Sequence, residues 1–218
     1  MLLYHGTSEA NLAQILESGI MPRSATNNSN WAHTVDSHAD AVYFSIAYPL
    51  YFANQACNAD ERLVVLEIDT DLLDETNLVA DEDAVEQALR GRDDLPTSWN
   101  MAKRTRYYRD RIERYSYEQS LTALGSCAHL GIIPVQTITR VAYVSLKAFG
   151  KMARCGYDPS ISVMGYMVMG ETYRKSTTWL FNPEAVEQEY ISLGDGHKHP
   201  ILPITDDREG IQIQTVAK

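Results

Sequence analysis

Three short stretches carry side chains suited to binding or catalysis. The first is Tyr4-His5-Gly6-Thr7, at the end of an apolar run that begins at Leu2. An imidazole can donate or accept a hydrogen bond and titrates near neutral pH. Glycine removes the side chain that would hold a ligand away from the backbone, and Thr7 adds a hydroxyl. The second is Val42-Tyr43-Phe44-Ser45, followed by Tyr48 and Tyr51. It offers aromatic faces, which attract cationic rings, and another hydroxyl. Taken singly, these residues have ordinary explanations: a lone His is mostly a satisfied structural side chain, and a Tyr within a strand is mostly core. Together they predict a cleft with a donor ring, a phenol face and backbone amides.

The third stretch runs from Met101 to Tyr117. Lys103, Arg104, Arg106, Arg109, Arg111 and Arg114 are interleaved there with Tyr107, Tyr108, Tyr115 and Tyr117. Pairing with Asp110 and Glu113 would make it a solvated helix face. Arg and Tyr side by side also suit phosphate contact and base stacking, as at a nucleic-acid partner or a pyrophosphate. Both readings stay open. The net charge of −10 excludes nucleic-acid binding by bulk attraction, so any such contact would need this local patch. His197-Lys198-His199, with only Asp195 near, is too thin a set for a metal and predicts a surface loop. His33 and His38 lie with Asp36 and Asp40 in a polar stretch that reads better as a loop closing over a ligand. Cys57, Cys127 and Cys155 are odd in number and widely spaced, which fits free thiols in a reducing cytoplasm. Cys127 has no evident base partner and reads as a buried small residue.

The elements that would hold these residues follow from periodicity. Leu2 to Tyr4 predicts a strand, and Leu12, Ile15 and Leu16 predict a helix over 9–18 that stops at Gly19. Ile20 to Arg23 reads as extended, and 24–40 as a long polar loop. Strands are expected at 41–45, 62–69, 126–130 and 138–146, and a helix opening on Pro49. Acidic turns then lead to a helix over 81–90, and another helix runs from Glu118 to Leu124. A helical segment over 160–181, a late strand at 189–193 and a β-like run at 211–216 complete the chain. The fold class is α+β. The length and the 44% apolar fraction support one domain over 1–150 with an extension over 151–218 packed on it. No stretch approaches the ~18 apolar residues of a membrane span, and the N-terminus lacks the form of a signal peptide.

Tyr4-His5-Gly6-Thr7, with Asn11-Leu12, Ile15-Leu16 and Gly19-Ile20, resembles the first motif of the ADP-ribosyltransferase superfamily. The closest branch is that of diphtheria toxin and the poly(ADP-ribose) polymerases, marked by His, Tyr and Glu in three motifs. Val42-Tyr43-Phe44-Ser45 with Tyr48 and Tyr51 is similar to its second motif. The likeness covers about the first quarter of the chain in motifs, and the rest only in element order. It implies a split mixed-sheet core and NAD+ as the substrate. Gly6 would pair with the nicotinamide amide, and Thr7 or Ser45 would complete that contact. Tyr43 and Tyr51 (or Tyr48) would flank the ring, and His5 would hold a ribose hydroxyl. A carboxylate in the third motif would stabilise the oxocarbenium-like transition state. Here the sequence departs from the family: the strand and kink that should follow that Glu begin at Ser126. Glu118, on the preceding helix, and Glu189, in Gln188-Glu189-Tyr190-Ile191, are the alternatives; each reads better as a solvated surface carboxylate.

What the resemblance implies, with Ser126 in that place, is a mono-ADP-ribosyltransferase that releases nicotinamide and modifies a macromolecular acceptor, protein or nucleic acid. Small cytoplasmic members of the superfamily are often toxins or phage and defence effectors, so an antitoxin or inhibitor is an expected partner; no membrane is. Two other readings stay open: an inactive NAD+- or ADP-ribose-binding module, and an RNA 2′-phosphotransferase, which shares the His-Gly-Thr opening.

Overall fold

The computed structural model describes residues 1–26, 37–58, 60–89, 95–153, 177–185, 190–192, 198–200 and 208–216. It is an α+β fold with two antiparallel sheets and several helices. Strand β1 (Leu2–Ser8) leads into helix α1 (Glu9–Ser18). Leu12 and Ile15 are the buried residues of α1, as the apolar spacing predicts. The chain then crosses Ile20, which bridges to Ile133, and enters a short helix α2 (Arg23–Thr26). That helix replaces the extended end and loop start expected there; Ala25 and Thr26 donate to the Pro22 carbonyl, so Pro22 opens it. The part of the polar loop over 27–36, with His33 and Asp36, lies outside the described residues.

Next come β2 (Ala41–Ser45), α3 (Pro49–Ala56), β3 (Leu63–Asp69) and β4 (Leu78–Ala80). β4 is absent from the sequence reading, which saw only turns. The helix expected over 81–90 is a single α-helical turn, α4 (Glu82–Ala84), that widens into a π-helical segment over Val85–Leu89. α5 (Met101–Arg109), α6 (Tyr117–Leu124), β5 (Ser126–Leu130), β6 (Ile138–Val144) and α7 (Leu146–Ala153) follow. Later come a helix over 177–181, β7 (Tyr190–Ser192), β8 (Lys198–Pro200) and β9 (Ile211–Thr215). β8 holds Lys198 and His199, which the sequence reading put in a loop, because it pairs with β7.

The first sheet has the order β1-β3-β6-β9 and the second β2-β5-β4. β3 is covered on both faces, which explains its unbroken apolar run. Val64, Leu66 and Ile68 join Leu3, Val42, Phe44, Cys127 and Leu121 in a core between the sheets. Leu63 and Val65 face the other way, onto Tyr4, Ala53, Ala142, Val144 and the aromatic pair Trp179 and Phe181. Glu67 is buried on this second face and is held by Arg140 at 2.8 and 2.5 Å. The same guanidinium donates to the Phe181 carbonyl at 3.1 Å. The described parts of 151–218 are thus joined to the first sheet: 177–181 packs on its outer face and β9 forms its last strand. Among the described residues, no helix is long and apolar enough to cross a membrane.

Candidate functional site

The site forms where the two sheets present their edges to each other. β1 ends one sheet and β2 ends the other. In an antiparallel ladder, alternate residues bond the partner strand and the others turn their N–H and C=O outward. At the ends of β1, Thr70 N–H donates to Met1 O (3.0 Å) and Glu9 N–H to Arg62 O (3.1 Å). The register then assigns Leu3, His5 and Thr7 to β3, and turns the backbone groups of Tyr4 and Gly6 out of the sheet. At the ends of β2, Ile46 N–H donates to Gly125 O (2.8 Å) and Gly131 N–H to Asp40 O (2.7 Å). Val42 and Phe44 therefore bond β5, while Tyr43 turns its backbone groups away from it.

His5 joins the two edges: its Nδ1 lies 2.9 Å from the Tyr43 carbonyl oxygen. A carbonyl only accepts, so Nδ1 carries the proton. Burial lowers the pKa of the ring, against the opposing pull of this hydrogen bond. The neutral ring then has a bare Nε2, an acceptor. Gly6 is required by packing. A Cβ there would lie 2.0 Å from the Pro49 carbonyl oxygen and 2.5 Å from the Ala53 nitrogen. The close backbone approach expected at Gly6 is thus made, on the side-chain face, by α3. The outward face of its peptide is a separate matter, set by the ladder.

The other expected residues are placed as follows. Thr7 is buried, and its oxygen accepts from Asn11 Nδ2 at 3.2 Å. The Ser45 hydroxyl donates to Gly125 O at 2.9 Å and accepts from the N–H groups of Ala47 (3.1 Å) and Tyr48 (2.7 Å). It closes the turn from β2 into α3, so its bonds are structural. Tyr48 is buried beside it, whereas Tyr51 is half-buried on α3 and meets Phe52 edge to face, 5.5 Å between centroids. Tyr43 packs its ring against Ala41, Val79, Ile112 and Ala128, so it is partly core after all.

The Tyr43 hydroxyl leads to residues that the sequence reading missed. It donates to the Glu82 carboxylate, 2.6 and 2.8 Å from the two oxygens, and accepts from His38 N–H at 2.9 Å. Ser126 lies opposite Ser45 in the β2–β5 register, and β4 pairs β5 through Ala80 and Cys127. One residue further on, Asp81 comes beside Ser126, whose side chain hydrogen-bonds its carboxylate. Ser120 of α6 seals this corner, accepting from Asp81 N–H at 3.0 Å and donating to Ser126 O at 2.8 Å. Asp81 also accepts from Asp83 N–H at 2.8 Å, the bond of a helix N-cap. Asp81, from the end of the neighbouring strand, thus brings a buried carboxyl group beside Ser126. Asp81 and Glu82 are both buried. Burial raises both pKa values, that of Glu82 to about 8 with the Asp81 charge adding to it.

Glu118 does not join them. It is exposed on the first turn of α6, where the Ser116 hydroxyl binds its carboxylate and holds its pKa down. Glu189 lies outside the described residues. The cations of the basic-aromatic stretch are largely spent locally. Arg104 pairs with buried Glu86 at 2.7 Å, and Arg109 with Asp110 at 2.9 Å. Lys103 sits over the Trp99 ring at 4.5 Å, and Arg111 over Tyr107 at 3.9 Å. The signal that could have revealed Asp81 and Glu82 is their place directly after the apolar triplet Leu78-Val79-Ala80. No family model and no curated protein matches the chain.

Proposed function

We propose that the chain is a mono-ADP-ribosyltransferase of the diphtheria-toxin and poly(ADP-ribose) polymerase type, acting in the cytoplasm with NAD+ as donor and a macromolecule as acceptor. The observation that carries it is the pair of facing sheet edges, with the Gly6 backbone turned outward and His5 bonded across to Tyr43. A carboxamide needs one acceptor and one donor, and an outward-turned peptide supplies both. The bare Nε2 of His5 accepts from a ribose hydroxyl, and Tyr43 and Tyr51 flank the ring. In the reaction, the bond between ribose C1′ and nicotinamide N1 breaks. Its electron pair leaves with nicotinamide, which becomes neutral. The acceptor nucleophile bonds C1′ and gives up its proton. The strand residue Ser126 has no carboxylate to orient a sugar hydroxyl as acceptor, which argues for one transfer per acceptor and against chain growth. The local pairing of the cations over 103–114 favours a protein acceptor over a nucleic acid.

The test is nicotinamide release from NAD+ by the wild type, His5→Ala and Tyr43→Ala, with labelled NAD+ then offered to protein, DNA and RNA pools. Release should fall about 100-fold in each variant, the scale of losing one transition-state contact. Release equal in all three would refute the site assignment. Ser126 itself supports a second reading, a non-catalytic NAD+-binding module, and that one predicts tight binding with no release by the wild type.

A further inference from the structure

Glu82 is the one feature of the site that ordinary folding economy does not explain. Its carboxylate is buried, and burying a charge is costly unless it is paired. Among the described residues no cation pairs with it, and Arg104 of α5 is bound to Glu86. The charges acting on it come from Asp81 and Asp83, both of like sign, and it accepts from the Tyr43 phenol and from its own backbone N–H. Removing the carboxylate would cost the fold its bonds from Tyr43 and from the Glu82 backbone, and no ion pair. Keeping it sets a carboxyl group, charged once the pH passes about 8, on the hydroxyl of Tyr43, a residue of the edge strand β2.

We propose that Glu82 is a specificity-determining residue of this site: its carboxylate, acting through the Tyr43 ring, selects a cationic nicotinamide over the neutral dihydronicotinamide. This rests on the NAD+ reading above. A phenol that donates to a carboxylate is polarised toward phenolate, which deepens the negative face of its ring and strengthens its hold on a cation. The carboxylate adds a direct, through-space attraction in a setting of low dielectric. NAD+ and NADH differ by a hydride at one ring carbon and share every other recognition group, so a shape-based site would bind both. The charge acts on the bound ring before the glycosidic bond breaks. The attraction is given up as the leaving ring becomes neutral, so it strengthens substrate binding and does not speed the chemical step.

Several other groups titrate or carry charge around Glu82. Tyr43 faces it from β2, with His5 on the Tyr43 carbonyl, and Asp81, Asp83 and Glu86 share its own segment. α5 presents Arg104, already bound to Glu86, and α6 presents the neutral Ser120. His38, before β2, reaches Tyr43 only through its backbone N–H.

Dissociation constants for NAD+ and NADH, measured calorimetrically on the full chain from pH 6 to 9, test the proposal. The wild type should prefer NAD+ by about tenfold or more at pH 8, the order expected of a unit charge acting across a part-buried site. That preference should grow with pH as Glu82 loses its proton. Glu82→Gln should reduce it to within about twofold, flatten its pH dependence, and raise KM for NAD+ together with kcat, so that kcat/KM changes least. Tyr43→Phe keeps the ring but frees the carboxylate, so it should lose much of the preference too. It decides the matter if Glu82→Gln fails to fold. A preference untouched in the folded variant, or a wild type that binds both forms equally, would overturn the role of Glu82 and leave the NAD+ reading standing. A wild type that binds neither would refute that reading, and the role of Glu82 with it.

Discussion

Buried acids make the site costly, and the cost has a sign. The Glu82 pKa is raised from 4.5 to about 8, by burial first and by the Asp81 charge second. Between those values the folded chain keeps a proton that the unfolded chain has released. Stability from this group is fully present below about pH 4.5 and is lost as pH rises through about 8. Each unit of that interval is worth at most about 1.4 kcal/mol. The melting temperature should therefore fall between pH 5 and pH 8, and fall less in Glu82→Gln. Since about 1 kcal/mol moves the midpoint of a domain this size by roughly 2–4 °C, the difference between the two slopes is measurable by a thermal melt at several pH values. Parallel slopes would show that Glu82 gives up its proton at an ordinary pH.

Among the elements, α3 bears most directly on the site. It starts at Pro49, is tied to β2 through the Ser45 hydroxyl, and lies on β1 at the one position without a side chain. Gly6→Ala would put a methyl group into the backbone of α3, so the helix must move off the strand and take Tyr51 with it. Overpacking of this kind costs roughly 1–3 kcal/mol, or a midpoint lower by about 5 °C. Nicotinamide release should fall further than that loss of stability explains, because the ring loses one of its two aromatic flanks. A variant that melts like the wild type would show that α3 does not rest on Gly6. The helix was legible in advance, since Pro49 and the aromatic spacing mark it plainly. β4 was not. Three residues, Leu78-Val79-Ala80, are too few to display a period, and their place is fixed only by pairing with β5, far away in the chain. Asp81 and Glu82 inherited that error: next to acidic turns they looked like the solvated start of a helix. Glu118 is an alternative in the sequence because it sits on the helix before Ser126, but helix rotation points Ser120, not Glu118, at that corner.

At the scale of the whole molecule, α+β class and strand positions could be read from local patterns because β3 opens on the apolar run Leu63 to Leu66 and β5 is bounded by Gly125 and Gly131. How the strands divide between two sheets could not be, because it depends on pairings such as β3 with β6 and β2 with β5. That division creates the site. Had β2 paired with β1, the outward groups of Gly6 and Tyr43 would have met each other, and the strands would hold no gap. The split also writes a pattern on hydrogen exchange. In β1, the amides of Leu3, His5 and Thr7 are locked into β3, whereas those of Tyr4 and Gly6 face the gap. Amide by amide, protection along this strand should alternate in the free protein, with Tyr4 and Gly6 exchanging faster than their neighbours. NAD+ should slow Gly6 toward the level of His5 and leave Leu3 and Thr7 where they were, so that the period-two pattern breaks at a single residue. A strand covered by a ligand only in a general way would instead slow as a block.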